Sequence, residues 1–535
     1  MSKVFLAMFG GTPARGELCL YLNAAAGLYE RCSSIQCYPI DKDIESPNYV
    51  NTRNLYNQYM AFRNVVSGGN FKIASAEVMR TEDLFENMLR GAIAKDNSIT
   101  EEESVRYLIA DEKGLSEQDQ RILNICFTQE EQVERMRGGY YGKANIGSVT
   151  GDILMHRGVY KKLDLYRDIE NSLTEKQELD VVIVCSSFGG TGASLGINFG
   201  EYLRKEFKGE ENLRIHCIYI QPYFSFPDPE EDDRWKIDCN TFYTKSATAT
   251  FILGQKQNFS KENTQDAVFD RFYYLGQNVL DKISDRNSAM SDQDNRIHLI
   301  DMLVSLVIED ILTQRDESKL QLYGYQYSSM GTEFLSWENM PRGIRFKTKH
   351  VCMMRFCEFM LDCMEPLFAD HYPNYSEEAL MLHMYGHKGG ILSKTADIEE
   401  GIKVQLQDDM RKCFDFCRSY IKYWIELEET TKFEHEQSSV TQFFNIDELK
   451  RILNSGQDVY DNVRFSANSL KLTEVKGYDN YKKGKKGLEI YDSLCRDKRL
   501  KGIAKPGTDK VKIAKILTEV IYDMCKVENY KSLQD

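Results

Sequence analysis

Residues Asp180–Gly196 read DVVIVCSSFGGTGASLG: an apolar run, then a loop with glycines at 189, 190 and 192, closing on Gly196. A run such as Asp180–Cys185 (DVVIVC) is what a strand buried on both faces looks like, and such strands belong to parallel sheets. Helical spacing follows through Tyr202, so the segment reads strand, glycine loop, helix. Gly189, Gly190 and Gly192 let the backbone approach a ligand and turn successive N–H groups into one concavity. The helix start adds unpaired N–H groups and partial positive charge, both suited to phosphate. Thr191 and Ser194 add hydroxyls beside Ala193. The loop is thus a phosphate cradle without a lysine. It is not a P-loop, which needs GxxxxGK[ST], nor a GxGxxG dinucleotide fingerprint. A glycine turn that only joins a strand to a tightly packed helix is the competing reading, and it weakens as further glycine loops appear at strand ends.

They do appear. Val4–Met8 is a short buried-strand run that breaks at Gly10 and Gly11, and the loop continues Thr12-Pro13-Ala14-Arg15-Gly16. From Gly16 to Leu28, the residues Leu18, Tyr21, Leu22 and Ala25 recur at helical spacing. Ile35–Ile40 is a second strand, ending in Asp41 and Asp43. Residues 75–135 are charged and helix-forming with weak periodicity. Gly138–Gly147 (GGYYGKANIG), opening on Gly138 and Gly139, is a second glycine-rich loop. Arg214–Ile220 is another strand, closed by QPYFSFPDP, and Arg271–Leu275 (RFYYL) a further one. Arg296–Ile311 is a helix apolar on most sides, hence buried. Strands alternating with helices imply a parallel sheet with helices on both faces, whose ligands sit at the carboxyl ends of the strands.

Phe188–Ser194 (FGGTGAS) resembles the signature loop GGGTG[ST]G of the tubulin/FtsZ family, which wraps the phosphates of GTP. Other segments resemble that family in the same order. MFGGTPARG looks like its first nucleotide loop, Asp41–Asp43 falls where its second begins, and GGYYGKANIG stands where a loop reaches the terminal phosphate. IQPYFSF, with Pro222, is similar to the FtsZ stretch around its KPF motif, and the 296–311 helix to the family's central helix. The closest likeness is to divergent bacterial tubulin-like proteins, which FDRFYYLG (Phe269–Gly276) and SWENMP (Ser336–Pro341) also resemble. The resemblance covers roughly residues 1–345. It implies GTP or GDP, with magnesium as a companion, held by Gly10, Gly11, Thr12 and Arg15 of the first loop, by Gly138 and Gly139, and by Gly189–Ser194. It further implies ribose or magnesium-bound water at Asp41 or Asp43, and base reading by Asn240.

Two departures stand out. Pro13 occupies a glycine position of the first loop, so one N–H donor is absent and the turn is stiffened. In tubulins, a GxxNxD-type loop after the central helix completes the neighbouring subunit's site with an acid that polarises water. Here LTQRDESKLQLYGYQYSSMG follows instead. Glu309 and Asp310, at the helix end, are the substitutes for that catalytic acid, and solvent-facing charges at a helix end are the competing reading.

Composition frames this. The 535 residues carry 68 basic and 82 acidic side chains, a net charge of −14, which opposes whole-surface binding to nucleic acid. Thirteen Lys/Arg against five Asp/Glu in residues 476–515 give that segment +8 and leave the rest at −22. The basic segment is a solvated face, a contact with the acidic face of another copy, or an attachment point for nucleic acid or an anionic surface. No run of ~18 apolar residues exists, so no membrane span is expected. The apolar N-terminal stretch is too short for a signal peptide. With that and no CxxC pair, the 14 cysteines read as reduced, mostly buried thiols of a cytoplasmic protein. Cys352, Cys357 and Cys363, and the pair Cys413 and Cys417, read as packing. His383 and His387 are four apart, but with Gly386 between them they read as a surface pair rather than zinc ligands. DPEEDDR (Asp228–Arg234) is a solvated loop or a site for a cation or basic partner.

The expected fold is α/β: a tubulin/FtsZ-like parallel-sheet nucleotide domain (1–290), a central helix (291–315), a second α+β domain (316–455) and a helical basic extension (456–535). The expected function is GTP binding with head-to-tail self-association into filaments; accessory proteins are further candidate partners. The alternatives are a non-polymerising nucleotide-regulated interaction module of a stress or phage-defence system, and an enzyme using the cradle for another phosphorylated ligand.

Overall fold

The computed structural model describes residues 2–30, 32–41, 46–66, 77–80, 104–109, 116–133, 140, 142–156, 158–225, 239–256, 268–276, 281–282, 297–313, 337, 343–369, 372, 375–430, 443–455, 467, 470–473 and 484–527. They fall into two compact units. The first comprises Met1–Leu20, Arg31–Arg53 and Ala76–Gly331, and the second Tyr21–Glu30, Asn54–Ser75 and Thr332–Asp535.

The first unit is built on the strands β1 (Ser2–Phe9), β2 (Cys32–Ile40), β3 (Glu77–Arg80), β4 (Leu179–Ser186), β5 (Leu213–Ile220) and β7 (Arg271–Leu275). They form one six-stranded sheet in the order β3-β2-β1-β4-β5-β7, and every adjacent pair is parallel. Two further short strands, β6 (Phe224–Ser225) and β8 (Asp281–Lys282), pair apart from it. Leu6 of β1 stands opposite Cys37 of β2 and Val182 of β4, so β1 and β4 are central. That position explains the continuous apolar run: every residue of β4 is buried. Strand side chains alternate between faces. Phe5, Ala7, Phe9, Val181, Ile183 and Cys185 therefore share one face, where they pack with Leu165, Ile169, Phe199 and Leu203. Asp180 lies buried among the apolar strand residues because Arg214 Nε (2.9 Å) and His216 Nε2 (3.1 Å) both reach its Oδ1.

Helices supply the two outer layers. α1 (Gly11–Ala25) follows β1 and α2 (Pro47–Val66) follows β2; α3 (Ala144–His156) and α4 (Asp164–Thr174) precede β4. After β4 come a π-helical turn (Gly192–Gly196) and α5 (Ile197–Glu206), and after β5 comes α6 (Cys239–Lys256). α7 (Leu299–Thr313) is the apolar helix expected at 296–311, and its residues Asp301–Leu312 are all buried. A Cβ on Gly16 would lie 3.1 Å from Val304 Cγ1, so α1 and α7 pack at glycine distance. The edge strand β3 falls within 75–135, a stretch whose charge and composition predict only helix. EVMR is four residues long with no alternation to betray it.

In the second unit the described residues are helical: α8 (Gly343–Phe359), a π turn (Met360–Met364), α9 (Ala379–Tyr385), α10 (Glu400–Thr430), α11 (Ile446–Ser455), α12 (Gly487–Leu494) and α13 (Lys510–Cys525) are its main elements. The β component expected of residues 316–455 has no strand among the described residues, where only an isolated antiparallel bridge, His387 to Ala396, occurs. The units also divide the chain differently from the expected boundaries: α7 belongs to the first unit, and parts of α1 and α2 belong to the second.

The second unit's core holds polar groups with dedicated partners. Trp337, Trp424 and Phe346 surround buried His350, and Phe443 packs on Trp424. His350 Nδ1 is 2.6 Å from the Tyr420 hydroxyl and Nε2 is 2.9 Å from Asn23 Oδ1. Burial holds the imidazole down to about 3, hence neutral. Arg355 donates from Nε to Cys525 O (3.0 Å) and from Nη1 to Thr473 O (2.9 Å), tying in later segments of the chain. Buried Glu358 accepts from Thr473 N (2.8 Å) and Oγ1 (2.5 Å). Desolvation pushes its carboxyl up to about 7, against the pull of those hydrogen bonds and of Arg355.

Candidate functional site

The sheet order reverses between β1 and β4, and a crevice outside the carboxyl ends of the strands at such a reversal is where open parallel sheets bind ligands. Both glycine loops leave the sheet there. After Phe9, Gly10 takes φ +94° and its N–H donates to Ile40 O (3.0 Å), which turns the chain into α1 at Gly11. After Ser186, the Ser187 N–H donates to Ile220 O (2.7 Å) and the Ser186 hydroxyl to Phe188 O (2.5 Å). Gly189 then takes φ +82°, and helical structure begins at Thr191. Both positive φ angles are costly for any residue but glycine.

The two helix starts stand side by side. A Cβ on Gly10 would lie 3.4 Å from Gly192 N and 3.7 Å from Thr191 Cβ, while one on Gly192 would lie 2.8 Å from Ser186 N and 3.0 Å from Phe9 O. Each start presents N–H groups without intrahelical acceptors, and their partial charges add. Pro13 sits in the first turn of α1, where its missing N–H costs no intrahelical bond, though it removes one donor from the crevice. Thr191 Oγ1 donates to Asp41 Oδ1 (3.2 Å), which draws the end of β2 onto the loop. Ser194 Oγ donates back to Gly190 O (2.5 Å), so this hydroxyl is engaged within the loop.

A third segment closes on the same loop. A Cβ on Gly190 would lie 2.3 Å from Tyr140 Cβ, and one on Gly147 of α3 would lie 2.1 Å from Ser194 Oγ. Burial raises the Tyr140 phenol well above its usual range; Thr150 opposes that shift and the Asp41 carboxylate adds to it. On the other side, Phe188 meets the rings of Tyr223 (5.9 Å), Phe224 (5.5 Å) and Phe242 (5.3 Å), and the Ser187 and Ser246 hydroxyls are hydrogen-bonded.

The expected site residues divide accordingly. Gly10, Gly11, Thr12, Asp41 and Gly189–Ser194 come together in this crevice. Pro222, half-buried, lies two residues beyond β5, and Asn240 is exposed in the first turn of α6. Asp43, Gly138, Gly139 and the DPEEDDR loop lie outside the described residues. Arg15 is a correction. It is buried, with Nε 3.2 Å from Asp301 Oδ2 and Nη2 donating to the Tyr223 hydroxyl, so it braces α1 on α7 instead of reaching a phosphate. Burial alone would lower its pKa; Asp301 and Tyr223 more than reverse this and hold it raised.

Glu309 and Asp310 are a second correction. They are only 3% and 5% exposed, and Asp310 accepts from the Tyr273 hydroxyl of β7 (3.3 Å). Neither side chain is solvent-facing. Sequence reasoning missed Tyr140, Gly147 and Ser246. The first two lie within GGYYGKANIG, where the glycines signal close packing; Ser246 carries no signal.

His383 and His387 are not on one helix. α9 ends at Tyr385 and Gly386 takes φ +84°; His383 then bonds to Asp497 O (2.7 Å) and His387 to Ser393 O (2.6 Å). Among the described residues, no group of three or more His, Cys, Asp or Glu side chains is placed to hold a metal. No helix among them is long and apolar enough to cross a membrane.

Fold and loops together define an α/β protein on an all-parallel sheet, with two glycine loops meeting at the strand-order reversal. Compared with family models, curated proteins and solved structures, the chain finds no match.

Proposed function

We propose that this chain binds the phosphates of a nucleotide, GTP or GDP, at the crevice between Gly10–Thr12 and Gly189–Ser194, in the manner of the tubulin/FtsZ family. The observation that carries the reading is the side-by-side placement of two glycine-led helix starts, with Gly10 against Thr191 and Gly192, at the strand-order reversal. In this reading Asp41, which accepts from Thr191, orients a ribose hydroxyl or a magnesium-bound water. Head-to-tail self-association belongs to the same proposal, supported by the split between a basic 476–515 segment and an acidic remainder.

Glu309 and Asp310 are buried, so in this reading the nucleotide acts as a bound regulator. That burial also favours a second reading, a nucleotide-regulated interaction module that does not polymerise. Mass spectrometry of the small molecule released from the purified protein tests the first step. A guanine nucleotide is expected; a non-nucleotide ligand, or binding of GTP unchanged in Thr191→Val, would refute the site. Electron microscopy and light scattering with and without GTP separate filaments from the module.

A further inference from the structure

The loop between α9 and α10, Gly386–Ala396, is braced so that its apex stands in solvent. His387 and Ala396 bridge its base, the Lys388 N–H donates to Thr395 O (2.8 Å), and the Ser393 N–H donates to Gly390 O (3.1 Å). The last bond closes a turn with Ile391 and Leu392 at its apex, 90% and 98% exposed. Gly389 and Gly390, with φ of +77° and +112°, lead into that turn. A fixed turn holding two aliphatic side chains almost wholly in water is an expense the fold does not itself require.

The loop also stands on the basic segment. The Gly502 N–H donates to His383 O (2.8 Å), the Ala504 N–H donates to Met384 O (3.0 Å), and a Cβ on Gly386 would lie 3.4 Å from Lys505 Cε. Lys388 and Lys394 flank the apex, and Lys501 and Lys505 stand at its base, all exposed. None of the four is in an ion pair among the described residues, whereas nearby Lys403, Lys510 and Lys512 are paired with Glu400, Glu399 and Asp509. Val404 and Val511, near the starts of α10 and α13, are 56% and 71% exposed. A Cβ on Gly401 would touch Lys510 Nζ at 2.6 Å, so these two starts are adjacent.

We propose that this loop and the adjoining basic segment dock on an anionic lipid bilayer, with Ile391 and Leu392 inserted at the interface and the four unpaired lysines among the headgroups. The apex is convex and narrow. Protein interfaces need about 800 Å² of fitted surface per partner, whereas a bilayer accepts single side chains without a prepared pocket. Stable peripheral attachment takes an apolar anchor and a basic patch together, and both occur here on one surface. With a net charge of −14 on the whole chain, attachment would be confined to this corner and would fix one orientation on the membrane.

The test is flotation of the full chain, without added nucleotide, on vesicles of phosphatidylcholine alone or mixed with phosphatidylserine. Binding is expected only to the mixed vesicles and should weaken with salt. Ile391→Ser/Leu392→Ser and Lys388→Gln/Lys394→Gln/Lys501→Gln/Lys505→Gln should each lower it about tenfold or more. All six side chains are exposed, so unchanged circular dichroism and melting are expected of both variants. Failure of the parent to float, or flotation unchanged in either variant, overturns the proposal. So does a concentration-dependent dimer that disappears in Ile391→Ser/Leu392→Ser, because the apex would then serve a second copy of the chain.

Discussion

Arg15, four residues into the helix that leaves the first glycine turn, lies 3.2 Å from Asp301 of α7, and both side chains are buried. A charge in that position is tolerable only with its partner. Arg15→Met alone or Asp301→Leu alone should destabilise the protein by about 3–5 kcal/mol, and the double variant should recover much of the loss. Urea unfolding of the three variants measures the recovery. Two single-variant losses that simply add would show that the pair is not coupled.

The glycines of the loop after β4 are not interchangeable. A Cβ on Gly189 meets only Ser186 Oγ at 4.0 Å, so Gly189→Ala suffers from its φ of +82° alone, about 1 kcal/mol. Gly190→Ala meets Tyr140 Cβ at 2.3 Å and has to displace the segment that closes the crevice. It should cost about 1–3 kcal/mol or more, and Gly190→Ala paired with Tyr140→Gly, which removes the clashing Cβ, should be milder than Gly190→Ala alone. Thermal melts of the three variants rank them.

Asp41 and Thr191 should act as one unit toward a nucleotide. Asp41→Asn and Thr191→Val are each expected to weaken GTP binding about tenfold, and together to weaken it by less than the product. Fluorescent-nucleotide titration of the four proteins decides. If the effects of the two multiply, the 3.2 Å contact has no part in binding.

His350 and Glu358 give the second unit opposite pH responses. The imidazole is held down to about 3 from 6.5, so the unfolded chain takes up a proton that the folded one refuses, and stability falls as pH drops below about 6.5. At pH about 5.5 the loss is about 1.4 kcal/mol. The Glu358 carboxyl is raised from 4.5 to about 7, so the folded chain keeps a proton that the unfolded one releases, and stability falls as pH rises from about 4.5 to about 7. The two slopes oppose each other between about 4.5 and 6.5. His350→Phe should expose a loss of stability with rising pH there, and Glu358→Gln a loss with falling pH. Two of the three tryptophans, Trp337 and Trp424, flank His350 and report unfolding by fluorescence.

Much of the sheet was readable because β1, β2, β4, β5 and β7 are apolar runs, as strands buried on both faces must be. β3 was not, since four residues at a sheet edge carry no pattern. The glycine loops announced their place because positive φ angles and contacts as close as that of Gly190 with Tyr140 demand glycine. Charged residues misled for a common reason. Arg15, Glu309 and Asp310 look like ligand or solvent groups in a string of letters; all three are buried, and the partners of Arg15 and Asp310, Asp301 and Tyr273, lie far away in the chain. Nothing local distinguishes a buried, partnered charge from a working one.

The π turn at Gly192–Gly196 sets an angular phase. Each residue of an α-helix advances the side chain by about 100°, and Thr191 has to look toward Asp41 while Phe199 and Leu203 look into the sheet. The wide turn absorbs one residue between those two demands. Deleting Ala193 and returning to a regular helix would keep the two ends in nearly the same phase, because the residue lost is the one the wide turn absorbs, whereas a further inserted residue would swing one end about 100° against the other. The loop and the core could then not both be satisfied, so this stretch can lose its extra residue but not gain another.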